Sequence, residues 1–192
     1  MPKITQEQRA RRQRQILDGA RRGFAERGYE GTTIRHLEAA SGLSSGAIFN
    51  YFPSKLDLFI ALASEDAQQA AGLWEQGGLR AFVRHRAESG AYSASYLELG
   101  RRVWADPAFR KAWARRGSPL TAVIRRDIEN AVEEGRLRAD RDVDELFDFT
   151  TVVLDGIMLG IRTGMRVERL EAMVTLYEEA VSASVSWQAD LR

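Results

Sequence analysis

Between Thr32 and Lys55 the chain reads TTIRHLEAASGLSSGAIFNYFPSK, three helix starts and two helix stops in close succession. Thr32 and Thr33 are N-cap residues for a helix over Ile34–Ala40, with Ile34 and Leu37 on its apolar face. Ser41–Gly42–Leu43 makes a tight connection, and Ser44 caps the next piece. Phe52–Pro53 stops it, because a residue before proline avoids the helical region. Ser54–Lys55–Leu56–Asp57 then opens another helix with a capping-box-like pattern. The middle helix has room for about two turns, too few to be stable alone. The chain must therefore hold it between neighbours.

The same punctuation runs through the rest of the sequence. Ile16, Leu17, Ala20, Phe24 and Ala25 recur at helical spacing from Gln6 to Arg27, and Gly28 closes that helix. Leu58, Leu62 and Trp74 share a face of a long helix that breaks at Gly77–Gly78. Further helices are predicted over roughly 79–88, 93–105 and from Asp106–Pro107, then from Ser118–Pro119 to Glu134, closed by Gly135. Two long helices, Asp142–Thr163 and Val167–Trp187, end the chain. Nothing reads as β-structure. The expectation is an all-α fold of about nine helices, with a three-helix head over residues 1–53 and a helical body over 54–192.

Composition narrows what such a fold does. Without cysteine there are no disulfides and no thiolate metal sites. The N-terminus has no apolar leader, and the longest apolar run, near Val152–Ile161, is interrupted by Asp155. These features suit a cytoplasmic protein with no membrane association. Residues 1–60 hold ten Lys/Arg against six Asp/Glu, whereas the remainder is slightly acidic. A basic first third on such a body points to a polyanion at that end.

Two short helices joined by a glycine turn form a helix-turn-helix, whose second helix enters the DNA major groove by its N-terminal end. Ser44, Ser45, Gly46 and Ala47 are small enough for close backbone approach. Free N–H groups there attract phosphate. The hydroxyls of Thr33, Ser44 and Tyr51 can donate to phosphate, Asn50 can pair with adenine or phosphate, and Lys55 adds a point charge. Ile48 and Phe52 are expected to face inward. An ordinary helical hairpin has the same spacing, so spacing alone leaves both readings open. Arg9, Arg11, Arg12 and Arg14 form a basic stretch that either reaches along the DNA or lines a solvated helix face.

The segment Thr32–Phe59, with Ile16–Tyr29 before it, resembles the DNA-binding signature of TetR-type bacterial transcriptional regulators. The resemblance implies a three-helix DNA-binding head on an all-α body that dimerises and holds a small-molecule effector. Matched position by position, it implies phosphate contacts from Thr33, Ser44, Tyr51 and Lys55, and a reading face of Ser45, Gly46 and Asn50. The sequence departs from the family at three positions. Ser45 stands where lysine or arginine is frequent, Phe49 where tyrosine is usual, and Glu38 where a small residue is common.

In the body, Gly156, Gly160 and Gly164 recur on one helix face and permit close helix approach, either within a subunit or between two. The resemblance favours a homodimer through the last two helices. Ile157, Met158, Ile161 and Met165 would then pair with Leu176 and Tyr177 in a four-helix interface. Tyr96, Arg102, Trp104, Phe109 and Trp113 are the candidates for an effector pocket.

Enzyme signals are poor. His36 and His85 lack metal-like spacing, and no phosphate loop or nucleophile elbow occurs. Asp140, Asp142 and Asp144 imitate a calcium loop, but Glu145 and Thr151 replace the glycine and glutamate it needs. The reading is a DNA-binding regulator, a repressor on a palindromic operator released by an effector, with no cofactor. The alternative is a helical protein–protein adaptor. Steep salt dependence of sequence-selective DNA binding separates the two.

Overall fold

The computed structural model describes residues 5–89, 105–107, 109–111 and 118–183. Among them run seven helices: α1 Gln6–Gly31, α2 Ile34–Ser41, α3 Ser45–Phe49, α4 Lys55–Ser89, α5 Pro119–Glu133, α6 Val143–Arg162 and α7 Val167–Val181. A further helical turn follows Asp106, whose carboxylate accepts the Phe109 N–H at 3.0 Å. The only β feature among the described residues is an isolated bridge between Leu137 and Ser182.

The glycine punctuation acts as the sequence indicates. Gly28 leaves the helical region with φ 68°, so α1 ends there in substance and its last residues turn toward α2. Gly77 and Gly78 interrupt α4 with non-helical angles. Gly42 caps α2 in the left-handed conformation and donates its N–H to Glu38. The final helix is shorter than its apolar pattern implies. It stops at Val181 because Ser182 turns extended and pairs with Leu137, while Arg138 N–H donates to Val181 at 3.0 Å.

Contacts divide the described residues into two compact units. One is drawn from Met1–Asp66 and Tyr92–Gly117, the other from Ala67–Ala91 and Ser118–Arg192. The expected division after residue 53 does not coincide with this. Leu58, Phe59 and Leu62 of α4 belong to the first unit's core with Ile16, Phe24, Leu37 and Ile48. Phe109 joins them, its ring 6.2 Å from those of Tyr29 and Phe59. Burying rings and aliphatics of this size contributes roughly 1.5–3 kcal/mol each, which is how a five-residue α3 is held in place.

The α1–α2 junction is the tightest approach in the first unit. A Cβ on Gly19 would lie 2.8 Å from the backbone of Ser41. Gln15 Nε2 donates to Ser41 O at 2.8 Å, and Arg22 to Ala40 O at 2.6 Å, which satisfies carbonyls at the end of α2. The wholly buried Thr32 hydroxyl bonds the carbonyls of Gly23 and Gly28. Arg21 bridges to Asp66 and Glu65 on α4. Burial raises the Glu65 carboxyl above its ordinary range, helped by Asp66 and Asp18 and opposed by Arg21.

In the second unit α5, α6 and α7 pack through Ile124, Ile128, Leu146, Leu154, Ile157, Leu170 and Val174. Thr150 and Tyr177 share a buried hydrogen bond of 2.8 Å between α6 and α7. The acidic triplet is an exposed turn, as its missing calcium-loop residues imply. Asp140 pairs with Arg138, Asp142 caps α6 by accepting the Glu145 N–H at 2.7 Å, and Asp144 pairs with Arg125.

Candidate nucleic-acid interface and ligand cavity

α2 and α3 meet as a helix-turn-helix. Ile48 and Phe52 are buried, which turns Gly46, Phe49 and Asn50 to solvent and leaves Ser45 and Tyr51 half-exposed. Thr33 and Ser44 are exposed N-caps whose hydroxyl oxygens accept the N–H groups of His36 and Ala47. Capping uses only the oxygen lone pairs, so each O–H hydrogen remains to donate to a phosphate. A Cβ on Gly46 would meet nothing within 4 Å, and its φ is not positive. Neither internal packing nor backbone conformation therefore requires a glycine here. Among the first unit's described residues, Phe49, 39% exposed, is the one large apolar side chain presented to water.

Two expectations change at this face. The N-terminus of α3 is only partly open, because Glu38 Oε1 accepts the Ser45 N–H at 2.6 Å. Glu38 was legible only as an unusual residue for its position, and its capping role needed the α2–α3 geometry. Lys55 is not a free point charge either. Its ammonium donates to Tyr29 O at 2.8 Å and Thr32 O at 3.0 Å, and lies 4.3 Å from the Tyr29 ring centre. It ties the end of α1 to the start of α4. The arginine stretch, by contrast, is helical from Gln6 as expected, with a capping box between Thr5 and Gln8. Arg9, Arg11, Arg12 and Arg14 are thus exposed on α1, the helix-face reading of the two.

The second unit contains a cavity of about 630 Å³ between α4, α5, α7 and the pair Arg136 and Leu137. Trp74, Leu79, Val123 and Tyr177 give it apolar walls, and Arg126, Asp127 and Glu178 add charge. Trp74 Nε1 donates to Asp127 at 3.0 Å, and Arg126 pairs with Glu75 at 2.7 Å. Burial raises the Tyr177 phenol above its ordinary value, with its bond to Thr150 opposing. Of the expected pocket residues, Phe109 is no part of this cavity, because it fills the first unit's aromatic core. Tyr96, Arg102, Trp104 and Trp113 lie outside the described residues. The cavity residues were missed because Trp74 reads as core, although the adjoining Gly77–Gly78 break signalled an irregular wall.

The expected dimer face also changes. Ile157, Met158 and Tyr177 are buried within their own subunit, and Ile161 and Met165 are half-buried. Gly160 serves the same internal packing, since a Cβ there would lie 3.2 Å from Met165 and 3.3 Å from Leu170. Gly164 ends α6 with φ 79°. Only Leu176 of the six stays exposed. It belongs to a different stripe, with Phe149, Val152, Leu159 and Met173.

No group of His, Asp and Glu among the described residues is arranged to hold a metal ion, and no described helix is long and apolar enough to cross a membrane. Residues 16–62 match the family model of bacterial regulatory proteins, tetR family. Over 187 residues the chain is 38% identical to the HTH-type transcriptional repressor Rv1474c of Mycobacterium tuberculosis, covering 96% of this chain and 100% of that protein. The chain belongs to the TetR family of bacterial regulators. It is 36% identical to the HTH-type transcriptional repressor AcnR of Corynebacterium diphtheriae, covering 96% of this chain and 98% of that one. Its fold is similar to that of Salmonella enterica GusR, with a TM-score of 0.72 at 20% identity over 94% of this chain and 99% of GusR. As a TetR-family member the chain is a DNA-binding transcriptional regulator and not an enzyme.

Proposed function

We propose that this regulator is a ligand-released repressor that grips a palindromic operator in the cytoplasm as a homodimer. The two relatives above carry the name repressor. The observation that carries the assembly is the exposed apolar stripe on α6 and α7. Phe149, Val152, Gly156 and Leu159 fall within one side of α6, and Met173 and Leu176 lie on α7. Val152 and Leu176 are 69% and 64% exposed. Gly156 has open space about its Cβ position, which lets a second helix come close between Val152 and Leu159. A contiguous stripe of this kind marks an interaction surface, and a two-fold pairing of α6 and α7 covers it with a four-helix interface.

Thr33, Ser44 and Tyr51 hold phosphates in this reading, Ser45, Gly46 and Asn50 face the bases, and Lys55 positions the helices that do so. Two heads then meet successive major grooves about 34–36 Å apart. The effector is a small polar molecule seated in the cavity beside Trp74, Asp127 and Tyr177, whose volume lies within the usual range for ligand sites. α4 supplies both Leu58 and Phe59 to the head core and Trp74 to Leu79 to the cavity. An effector that prefers one arrangement of the Gly77–Gly78 break shifts the operator-binding population by its differential affinity.

The test is sedimentation and operator binding of Val152→Glu/Leu176→Glu beside wild type. The double variant is expected to sediment as a folded monomer and to lose operator affinity. A dimer of unchanged strength refutes the interface.

A further inference from the structure

A DNA-binding head draws phosphate with cations and with free N–H groups at helix starts. In this head both are unevenly distributed about α3. At its N-terminal end, Glu38 occupies the Ser45 N–H and the Ser44 hydroxyl occupies the Ala47 N–H. One of these internal acceptors is a carboxylate, which repels phosphate as well as displacing it. Residues 41–54 contain no lysine or arginine, and the next cation, Lys55, spends two of its N–H groups on backbone carbonyls.

The other end of α3 is different. The Arg9 guanidinium carbon lies 5.6 Å from the centre of the Tyr51 ring, within cation–π range. Arg9 projects from an ordered α1, whose start is fixed by the Thr5–Gln8 capping box. A guanidinium held against a ring face keeps its N–H fork available for a bidentate phosphate contact. Arg9 and the Tyr51 hydroxyl are thereby presented together, on α1 and just beyond α3.

We propose that Arg9 and the Tyr51 hydroxyl form one phosphate clamp at the C-terminal end of the reading helix, while Glu38 withdraws the Ser45 N–H from phosphate at its N-terminal end. The clamp fixes the register of the head, and the neutral side chains Ser45, Phe49 and Asn50 are left to discriminate bases. This rests on the DNA-binding role of the α2–α3 pair. It also accounts for two family departures together, since Ser45 supplies no cation at that end and Glu38 adds a carboxylate beside it.

The experiment is fluorescence anisotropy over a salt series, with a duplex selected from random DNA and with an unselected duplex. Arg9→Ala is expected to weaken binding to both by about fivefold or more and to lower the salt slope by about 1 per head. Its melting temperature should not move, because Arg9 is exposed. Tyr51→Phe should weaken both duplexes too, and Arg9→Lys should restore the slope. Glu38→Gln keeps an oxygen for the Ser45 N–H but drops the charge, and is expected to tighten both. An unaltered salt slope in Arg9→Ala overturns the clamp. Weaker binding by Glu38→Gln at an unchanged melting temperature overturns the part given to Glu38. If wild type selects no duplex at all, it is the DNA-binding role of the helix pair that fails.

Discussion

Replacing Gly46 by alanine separates folding from DNA binding. The position is exposed in α3, its φ is not positive, and no atom lies within 4 Å of the added methyl. Alanine therefore costs nothing in contacts and restricts the unfolded chain, a gain of about 0.5–1 kcal/mol. For a chain of this length that raises the melting temperature by about 1–4 °C. On DNA the same methyl stands in the first turn of the reading helix, where the backbone must approach the groove. A loss of affinity of about tenfold, equivalent to about 1.4 kcal/mol, is expected. Calorimetry and anisotropy on one preparation read both numbers. Gly19→Ala is the internal comparison. Its Cβ would press on Ser41 backbone at 2.8 Å, which cannot rotate away. Overpacking of this kind costs about 1–3 kcal/mol, so its melting temperature falls. If Gly46→Ala bound the operator as tightly as wild type, the open side of Gly46 would not be where DNA approaches, and α3 would have to meet the groove with another side.

Other perturbations follow from single contacts. Thr32→Val removes the hydroxyl that bonds the Gly23 and Gly28 carbonyls, and should cost about 1–3 kcal/mol in urea unfolding. Lys55→Ala should lower the melting temperature along with DNA affinity, because it unties Tyr29 and Thr32. A loss of affinity with no loss of stability would return Lys55 to a simple phosphate contact. The Tyr177 phenol titrates above its ordinary 10.0 in the folded chain. The native state then keeps a proton that the unfolded chain gives up, so stability is whole below about pH 10 and declines as pH rises beyond it. Tyr177→Phe should flatten that part of the urea-unfolding profile.

The helix-turn-helix was legible because each boundary is carried by a residue acting on its own neighbours. Thr33 and Ser44 cap, Gly42 takes the left-handed turn, and Pro53 stops the helix, all within a few residues of chain. The alternation of Ile48 with Gly46 and Asn50 also showed which side faces in. The body was less legible. Ile157, Met158 and Tyr177 look like an interface in a helical pattern, yet α6 and α7 bury them against each other first. The exposed apolar stripe of α6 lies on the side away from these, at Phe149, Val152 and Leu159. Phe109 and Trp74 are both aromatic residues in helical surroundings, and nothing local distinguishes the one that fills a core from the one that walls a cavity.

By itself, then, the sequence determined the helices of the head, the caps and turns that bound them, and the family. Caps, turns and helical periodicity are properties of a few consecutive residues. Tertiary structure alone decided which side chains became available. Glu38 found Ser45, Arg9 found Tyr51, and Lys55 found Tyr29 and Thr32 across separations that leave no periodic trace. Whether a charge reaches DNA or is spent inside the head depends on the partners that packing brings within a few ångströms. Local pattern sets the helices, and distant contacts set what their surfaces can still bind.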